Sequence, residues 1–318
     1  MNDRAIYVHD FSYSLGDDAF SVEEASATGR ILTSAKALRE VGFDRHHVCR
    51  ETTHAYDLAK RAVDPIRDRL SNIDVIVYST CIPRNATIGS DDKFAETRDV
   101  KHIMDFPASH LQADYGLDSA FVVGLNQQAC TSMLGSLRIA GALLRTEPDL
   151  RAALCVTADR FPVGAIYEQA YNLISDGAAA CIVSSEARGY RLLATHHITN
   201  GALAQASDDE TVGTYFNYTH RLVQETLAKA RLTVDDVDVV VPQNTNVTAW
   251  RILSRLLRID YERVYYASIG EVGHIISSDN VVNMVSLEKH RPLKSGSKLL
   301  LMMAGFGLNW QAVLLEKV

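Results

Sequence analysis

Short, almost continuous runs of apolar residues alternate along the chain with longer amphipathic stretches. The apolar runs predict buried strands over residues 74–80, 120–125, 152–158, 178–185, 237–243, 263–269, 298–304 and 311–317. The amphipathic stretches predict helices over residues 53–70, 131–145, 214–231, 246–258 and 279–290. Alternation of helices with strands that are apolar on both faces is typical of sheets covered by helices. The pattern therefore predicts an α/β protein.

The pattern also repeats once along the chain. An amphipathic helix leads to a Val/Ile-rich strand in "LSNIDVIVYST" and again in "LTVDDVDVVVPQNTN", and in each half a later helix leads to another apolar strand. A repeat of this kind indicates two equivalent α/β halves, which we place at residues 1–186 and 187–318. No linker rich in Pro, Gly or Ser separates them. We therefore expect the halves to share one core.

Composition excludes several classes of protein. The 318 residues are 47% hydrophobic and 22% charged, which is ordinary for a globular chain of one large domain or two smaller ones. The net charge of −7 gives no reason to expect nucleic acid or an anionic membrane as partner. The N-terminus lacks the pattern of a signal peptide, and no apolar run is long enough to cross a bilayer. We therefore expect a cytoplasmic protein, and no motif indicates a metal or another cofactor.

The cysteines differ in their surroundings along the chain. The chain contains five widely spaced cysteines, Cys49, Cys81, Cys130, Cys155 and Cys181. Cys155 and Cys181 lie within strand-like runs and are expected in the core, whereas Cys49 and Cys81 have no acid–base partner nearby in sequence. Cys130 opens an apolar helix after a strand, where unpaired backbone N–H groups and the helix dipole favour the thiolate. Cys130 is therefore the candidate nucleophile, and a quietly packed core thiol is the alternative.

Five stretches follow one another in a recognisable order. They are "QQACTSMLGSL", "NLISDGAAACIVSS", "VDDVDVVVPQNTN", "YASIGEVGHIISSDNVVNM" and "PLKSGSKLLLMMAGFGLNWQAVLLE". In this order they resemble the Ala-Cys elbow, the Gly-Asp-Gly-Ala entry to a strand, the Pro-His-Gln-Ala-Asn and Gly-Asn-Thr motifs, and the C-terminal Gly-rich turn of the ketoacyl-ACP synthase III branch of the thiolase-fold condensing enzymes. The resemblance implies a thiolase fold of two duplicated halves in an αβαβα layered core, and a homodimer. It also implies that Cys130 accepts an acyl group.

The chain departs from this family at two catalytic positions. Condensing members use a His and an Asn beside the Cys, but here the His position is Gln243 and the Asn position is His274. A glutamine amide cannot accept and return a proton at neutral pH, whereas an imidazole can. We therefore predict His274 as general base, with Gln243 or Asn244 as the third catalytic residue. By the resemblance, the backbone N–H groups of Cys130 and Gly307 form the oxyanion hole.

These residues favour an acyltransferase. It would load an acyl group from an acyl carrier protein or coenzyme A thioester onto Cys130 and pass it to a hydroxyl or amine of a small-molecule acceptor, as related enzymes of natural-product pathways do. One alternative is a ketoacyl synthase III that forms a carbon–carbon bond, with or without decarboxylation. Two others are a non-catalytic partner subunit, which would be expected to lack the nucleophile, and a cysteine hydrolase.

A row of three arginines on one predicted helix gives information about the identity of the acyl donor. Arg251, Arg255 and Arg258 are spaced i, i+4 and i+7 on the predicted helix 246–258, on one face of an otherwise acidic protein. This basic stripe fits the acidic surface of an acyl carrier protein, and a solvated basic face explains it equally well. The tryptophan and arginine that hold the adenine of coenzyme A in the family have no N-terminal counterpart here. This difference favours a carrier protein over coenzyme A.

Overall fold

A computed structural model of the protein describes residues 4–169, 172–205, 208–266, 268–305 and 308–318. The strands are Tyr7–Leu15 (β1), Asp18–Ser21 (β2), Arg45–Val48 (β3), Ile73–Ser79 (β4), Phe121–Leu125 (β5), Ala152–Asp159 (β6), Glu168–Gln169 (β7), Asn172–Leu173 (β8), Gly177–Ser184 (β9), Tyr190–Thr199 (β10), Val239–Pro242 (β11), Lys298–Gly305 (β12) and Asn309–Lys317 (β13). The α-helices are Val22–Ala27 (α1), Ala35–Glu40 (α2), Ala55–Val63 (α3), Asp91–Thr97 (α4), Pro107–Asp114 (α5), Ser132–Thr146 (α6), Asp208–Lys229 (α7), Val247–Leu257 (α8), Ile269–Val272 (α9) and Asp279–His290 (α10).

Nine of the described strands form one mixed sheet in the order β11-β12-β13-β10-β1-β9-β6-β4-β5. On one side, β4 runs parallel to β5 and β6, and β6, β9 and β1 are antiparallel neighbours. On the other side, β11 runs parallel to β12, and β12, β13 and β10 are antiparallel neighbours. The two sides meet where β1 pairs with β10. Counted outward from this junction, each side has two antiparallel pairs followed by a parallel pair. The predicted boundary at residue 187 falls between β9 and β10, and the division into halves stays a prediction.

The side chains of each strand alternate between two apolar layers, as the period of a β-strand requires. Val75 and Val77 of β4 face a central cluster that also contains residues of α6, α10, β11 and β12, whereas Ile76 and Tyr78 face an outer cluster beneath α3 and α5. A third cluster covers the opposite outer face, beneath α7 and α8. Helices therefore lie outside both parts of the sheet and between them. This arrangement confirms the predicted α/β thiolase fold with αβαβα layers.

The central helix α6 is packed tightly because small residues let its neighbours approach. A Cβ atom added to Gly141 would lie 2.9 Å from Leu192 Cδ2, and one added to Gly135 would overlap the Gln128 side chain. Met133, Leu134 and Leu137 are all buried, so several faces of the helix are apolar. Within the described ranges, no helix is both long and apolar enough to span a membrane.

One predicted strand is wrong, and two central strands are missing from the sequence prediction. Among the described residues of the range 263–269, only Val264 makes a bridge, to Val240, before the chain turns into α9. Gly270 of that helix lies close to the Asp44 side chain: an added Cβ would be 3.0 Å from Asp44 Oδ2, so the glycine allows this close approach. The missing strands are β1 and β10, whose sequences "YVHDFSYSL" and "YRLLATHHIT" mix polar and apolar residues. Their strand state comes from pairing with neighbours on both sides.

Candidate active site

Cys130 lies in a tight turn between β5 and α6. The turn is the 3₁₀ helix Ala129–Thr131, and Ala129 has a left-handed φ of 48° that an L-residue rarely adopts. Side chains hold this backbone, since Gln311 Nε2 donates to Gln128 Oε1 and to Thr131 Oγ1 at 2.9 Å. A strained turn from strand to helix is the way a nucleophile elbow projects its side chain. The Cys130 thiol is only 5% exposed and points into the central layer.

His274 reaches the site from the other half of the chain. It follows Gly273, whose φ of 66° ends α9, and its backbone N–H donates to Leu173 O at 2.8 Å. Its own carbonyl accepts from Ser175 N at 2.9 Å. The segment that carries His274 is therefore fastened to the residues before β9, a strand on the same side of the sheet as β5, which leads to the nucleophile. The His274 side chain is buried, with 7% of its surface exposed.

An acidic residue that the sequence analysis missed completes this arrangement. Asp279, the first residue of α10, is fully buried and lies with Oδ2 2.5 Å from His274 Nδ1. The same carboxylate accepts the backbone N–H groups of Ile275 and Asn244, both at 2.6 Å. Because Nδ1 is engaged by Asp279, Nε2 remains for the thiol. The sequence did contain a signal for this residue, because Asp279 stands five positions after His274 and at the start of the predicted helix 279–290.

The charges of this buried group are coupled. Burial alone lowers the pKa of His274, but the charge and hydrogen bond of Asp279, together with Cys130, raise that pKa to about 10. For Cys130, the hydrogen bond from Cys81 lowers the thiol pKa, burial raises it, and His274 lowers it again, with a result of about 5. At neutral pH the pair is therefore a thiolate and an imidazolium ion.

Cys81 is a second residue that sequence reasoning left without a role. Its Sγ lies 3.8 Å from Cys130 Sγ, and its backbone N–H donates to Asp159 Oδ1 at 2.9 Å. Asp159 also accepts from Thr80 Oγ1 at 2.6 Å. The hydrogen bond to Cys130, and then burial, raise the pKa of Cys81, so Cys81 stays a thiol that donates to the Cys130 thiolate. The two cysteines are 49 positions apart, so no local pattern could have paired them.

The two amides predicted as a third catalytic residue lie behind the histidine and beside β12. Gln243 Oε1 accepts from Ala304 N at 2.5 Å. Asn244 Nδ2 donates to Gly273 O at 2.8 Å, and its backbone N–H binds Asp279. Within the described part of the chain, neither side chain forms a hydrogen bond with Cys130 or His274. Asn244 is thus placed to support the acid and the turn before the histidine, and a catalytic role for either amide stays a prediction.

Of the two backbone N–H donors predicted for the oxyanion hole, the structure describes that of Cys130. Gly307, the predicted second donor, lies outside the described residues. Gly305, at the end of β12, crosses the elbow so closely that an added Cβ would lie 2.9 Å from Cys130 N and 3.1 Å from Ala129 Cβ. A side chain at position 305 would therefore crowd the Cys130 N–H group. The glycine keeps room at the donor that the resemblance assigns to the oxyanion hole.

The basic stripe is shorter than its sequence spacing predicted. Helix α8 ends at Leu257, and Arg258 caps it in a left-handed conformation with φ of 57°. Arg251 and Arg255 are exposed on the helix, and Ile252 and Leu256 beside them are 46% and 44% exposed. Among the described residues, no acidic side chain forms an ion pair with these arginines. The helix therefore presents a patch that is both basic and apolar.

The helix with this patch is tied to the strand that leads into the site. Trp250 of α8 is buried, and its Nε1 donates to the carbonyl of Gln243 at 3.3 Å. Asn246 caps the helix by accepting Ala249 N at 3.0 Å. A molecule bound on α8 would thus lie close to the chain segment that holds Gln243 and Asn244.

An open cavity of about 500 Å³ lies on the Cys81 side of the site. Its wall includes Asn85, whose Nδ2 donates to Arg160 O at 3.1 Å, and Phe161, which belongs to the apolar cluster around Cys130. Arg84 and Arg160 also face the cavity. Among the described residues, no group of three His, Cys, Asp or Glu side chains is arranged to hold a metal ion.

Comparison with known proteins gives the same family as the motifs. The family model "3-Oxoacyl-[acyl-carrier-protein (ACP)] synthase III" matches residues 126–201, and the model of the C-terminal domain of that synthase matches residues 227–317, together more than half of the chain. The β-ketoacyl-[acyl-carrier-protein] synthase III of Aquifex aeolicus is 23% identical over 292 residues, which cover 86% of this chain and 88% of that protein.

Solved structures share the fold over almost the whole chain. Synthase III from Pseudomonas aeruginosa PAO1 superposes with a TM-score of 0.81 at 22% identity, covering 99% of this chain and 98% of that one. ChlB3, an acyltransferase, superposes with a TM-score of 0.82 at 21% identity and the same coverage. The family predicted from the motifs is confirmed: the chain belongs to the 3-oxoacyl-[acyl-carrier-protein] synthase III family and is a synthase III-like enzyme of the thiolase fold.

Proposed function

We propose that this enzyme is an acyltransferase rather than a condensing synthase. It takes an acyl group from a carrier-protein or coenzyme A thioester onto Cys130 and transfers it to a hydroxyl or amine of a small molecule. The observation that carries the proposal is the hydrogen-bonded pair His274–Asp279 beside the thiol. A histidine oriented by a buried acid next to a nucleophile is the arrangement of acyl-transfer triads.

The first half of the reaction loads Cys130. The thiolate attacks the carbonyl carbon of the donor thioester, and the backbone N–H of Cys130 faces the oxygen that becomes negative. When the tetrahedral intermediate collapses, the carbon–sulfur bond to the donor breaks. His274, protonated in the resting enzyme, gives its proton from Nε2 to the departing thiolate. The products are acyl-Cys130, a neutral His274 and the free thiol of the donor.

The second half transfers the acyl group. Acylation removes the negative charge of Cys130, which helped to raise the pKa of His274, so the imidazole is more easily kept neutral in the acyl-enzyme. Neutral His274 accepts the proton of the incoming hydroxyl or amine as that group attacks acyl-Cys130. The thiolate then leaves, and the resting thiolate–imidazolium pair is restored. Asp279 holds the ring and stabilises its charged form in both halves.

Condensation is the second candidate function, and the family membership favours it. In condensing relatives two hydrogen-bond donors hold the carbonyl of a malonyl thioester. Here Gln243 stands at one of these positions, with its Oε1 bound to Ala304 N, and a base stands at the other. In support of acyl transfer, ChlB3, a protein of the same fold, is named an acyltransferase. The presence of both Cys130 and His274 argues against a non-catalytic partner subunit.

We further propose that an acyl carrier protein delivers the acyl group to the α8 patch, defined as Arg251, Ile252, Arg255 and Leu256. Exposed arginines surrounding exposed aliphatic side chains fit a partner that is acidic and partly apolar. The exposed residues lie on the same helix as Trp250, which contacts the strand that ends at the site. A coenzyme A donor would not need this patch.

A homodimer is also part of the proposal. Strand β5 is an edge of the nine-stranded sheet, and its Phe121 and Val122 are 42% and 41% exposed. An exposed apolar edge strand is normally covered in a stable protein. Pairing with β5 of a second chain would cover it and would bring a second copy close to the strand that leads to Cys130. Light scattering of the purified protein measures this assembly.

Intact-protein mass spectrometry tests the proposed reaction. Wild type and Cys130→Ala are mixed with acyl-carrier and acyl-coenzyme A donors, and acylated protein is then offered small alcohols, amines or a malonyl thioester. The proposal expects acylation only with Cys130 present, and discharge by a hydroxyl or amine with formation of an ester or amide. Discharge by the malonyl thioester with loss of carbon dioxide would establish condensation instead. Discharge by water alone would indicate a hydrolase.

A further inference from the structure

The structure places a second thiol against the nucleophile. Cys81 Sγ and Cys130 Sγ are 3.8 Å apart, and all five cysteines are free. We propose that this pair is an oxidation site: a hydroperoxide oxidises Cys130, and Cys81 then closes a reversible disulfide that protects the nucleophile. The inference concerns regulation of the thiol on which the proposed function rests.

The chain contains an internal comparison for this pair. Cys155 and Cys181 face each other across β6 and β9, and both are completely buried. Burial, and then the hydrogen bond with Cys181, raise the pKa of the Cys155 thiol. A buried thiol of raised pKa is inert toward peroxide because the thiolate is the reacting form. Proximity alone therefore does not make a reactive pair in this protein.

Cys130 meets two requirements that Cys155 does not. It is a thiolate at neutral pH, because Cys81 and His274 stabilise its charge. It must also be reached by an acyl thioester if the proposed function is right, so a small hydroperoxide can reach it too. Low pKa and access are the two properties that make a cysteine sensitive to oxidation.

The chemistry balances in two steps. In the first, the Cys130 thiolate attacks a hydroperoxide oxygen, the O–O bond breaks, and with one proton the products are Cys130 sulfenic acid and an alcohol or water. In the second, the Cys81 sulfur attacks the Cys130 sulfur, the S–O bond breaks, and the hydroxyl leaves with the Cys81 proton as water. The two thiols together lose two electrons and the hydroperoxide gains them. A small-molecule dithiol reduces the disulfide by thiol–disulfide exchange, which returns both cysteines to thiols and oxidises the dithiol to its own disulfide.

The surroundings of Cys81 suit it to the second step. Asp159 accepts the Cys81 and Ile82 backbone N–H groups at 2.9 and 3.0 Å, so the backbone beside the thiol is fixed. A disulfide needs the sulfur atoms at about 2.0 Å, so the proposal requires the two side chains to move toward each other from their separation of 3.8 Å. Oxidation of Cys130 also removes the thiolate that contributes most to the raised pKa of Cys81. Cys81 therefore becomes a better nucleophile when it is needed.

Peptide mapping after peroxide treatment tests the proposal. Wild type, Cys81→Ser and the control Cys181→Ala are treated with hydrogen peroxide, blocked with N-ethylmaleimide and analysed before and after dithiothreitol. We expect a peptide pair joined through Cys81 and Cys130, with loss of two hydrogen atoms, in wild type and in Cys181→Ala. Dithiothreitol should restore a Cys130 that can be alkylated. In Cys81→Ser, Cys130 should proceed to sulfinic and sulfonic acids that dithiothreitol does not reverse.

The proposal is overturned if wild type accumulates sulfinic and sulfonic acids at Cys130 like Cys81→Ser, without a linked peptide. If Cys81→Ser fails to fold, the linked peptide in wild type and Cys181→Ala still decides the question. Acyl loading of untreated protein is measured in parallel. A linked peptide from a protein that loads no acyl group would contradict the proposed function and leave the disulfide standing.

Discussion

Asp279→Asn removes the charge behind His274 while keeping the size of the side chain. The carboxylate now accepts three N–H groups, from His274 Nδ1 and from the backbones of Ile275 and Asn244. An asparagine has one acceptor oxygen and an NH₂ group, so at least one of these donors would face another donor. The variant therefore disturbs both the charge of the imidazole and its orientation.

The structure gives the size of the effect. The pKa of His274 is raised from 6.5 to about 10 despite burial, with Asp279 as the main cause of the increase. At about 1.4 kcal/mol for each pKa unit, the interactions with Asp279 and Cys130 exceed the burial penalty on the imidazolium by roughly 5 kcal/mol. Without the Asp279 charge, burial lowers the pKa of His274 and Cys130 alone raises it, so the imidazolium loses most of its stabilisation. The Cys130 thiolate is then paired less well with a cation.

The thiol pKa of Cys130 should consequently rise in Asp279→Asn. Asp279 itself raises the pKa of Cys130, so its removal acts in the opposite direction, but this is the smallest of the contributions. Loss of a cation within hydrogen-bonding reach raises a pKa by roughly 1–3 units. Loss of the acid in a triad also lowers kcat, by about 10⁴-fold in a serine protease. We expect a smaller loss here, of roughly 10²–10³-fold, because Cys is more nucleophilic than Ser.

Alkylation of Cys130 by iodoacetamide, followed by mass spectrometry across a pH series, measures the thiol pKa. In wild type the rate should rise with pH around 5 as the thiolate forms. In Asp279→Asn the same rise should occur at clearly higher pH. Asp260→Asn is the control, since Asp260 is exposed and, among the described residues, its side chain accepts only the Glu262 N–H, at 3.1 Å. An unchanged midpoint in Asp279→Asn would refute the coupling of acid, histidine and thiol.

Three further changes separate the parts of the site. Cys81→Ala should shift the alkylation midpoint of Cys130 to higher pH, and Cys81→Ser should restore part of the shift because a hydroxyl also donates to a thiolate. Gly305→Ala should slow acylation in a single-turnover assay and leave the midpoint unchanged, since an added Cβ crowds Cys130 N without touching a charge. Charge reversal of Arg251 and Arg255 should raise KM for a carrier-bound donor and not for a coenzyme A thioester; equal effects on both donors would contradict docking on α8.

The sequence predicted the elements whose pattern is local. The buried strands around β4, β6, β9 and β12 are apolar on both faces, and the helix after Cys130 is marked by small and apolar residues, so both were visible without the fold. Strands β1 and β10 were invisible because their state depends on neighbours far away in sequence. The end of α8 before Arg258 depends on a left-handed cap, which shortened the predicted stripe.

The residues of the candidate site also fall into those that a motif predicted and those that the structure revealed. Cys130 and His274 were found because each stands in a recognisable motif. Asp279 lies in the same quoted stretch as His274 but was missed because the resemblance assigns no role to an acid there, and Cys81 lies in none of the quoted stretches. The fold places Asp279 against His274 and Cys81 against Cys130. A contact between residues that are far apart in sequence, here the Cys81 thiol beside the Cys130 thiolate, cannot be predicted from a local pattern.

The central claim is that His274 takes the proton of the acceptor, and the rate of discharge of acyl-Cys130 measures it most directly. Wild type and His274→Asn, the variant that restores the residue of condensing relatives, are first loaded with a reactive acyl donor, so that slow loading does not matter. Discharge by an amine or alcohol is then followed at several pH values. We predict that the wild-type rate rises with pH as His274 becomes neutral and that His274→Asn loses both the rate and its pH dependence. Equal rates and equal pH profiles in the two proteins would contradict the account.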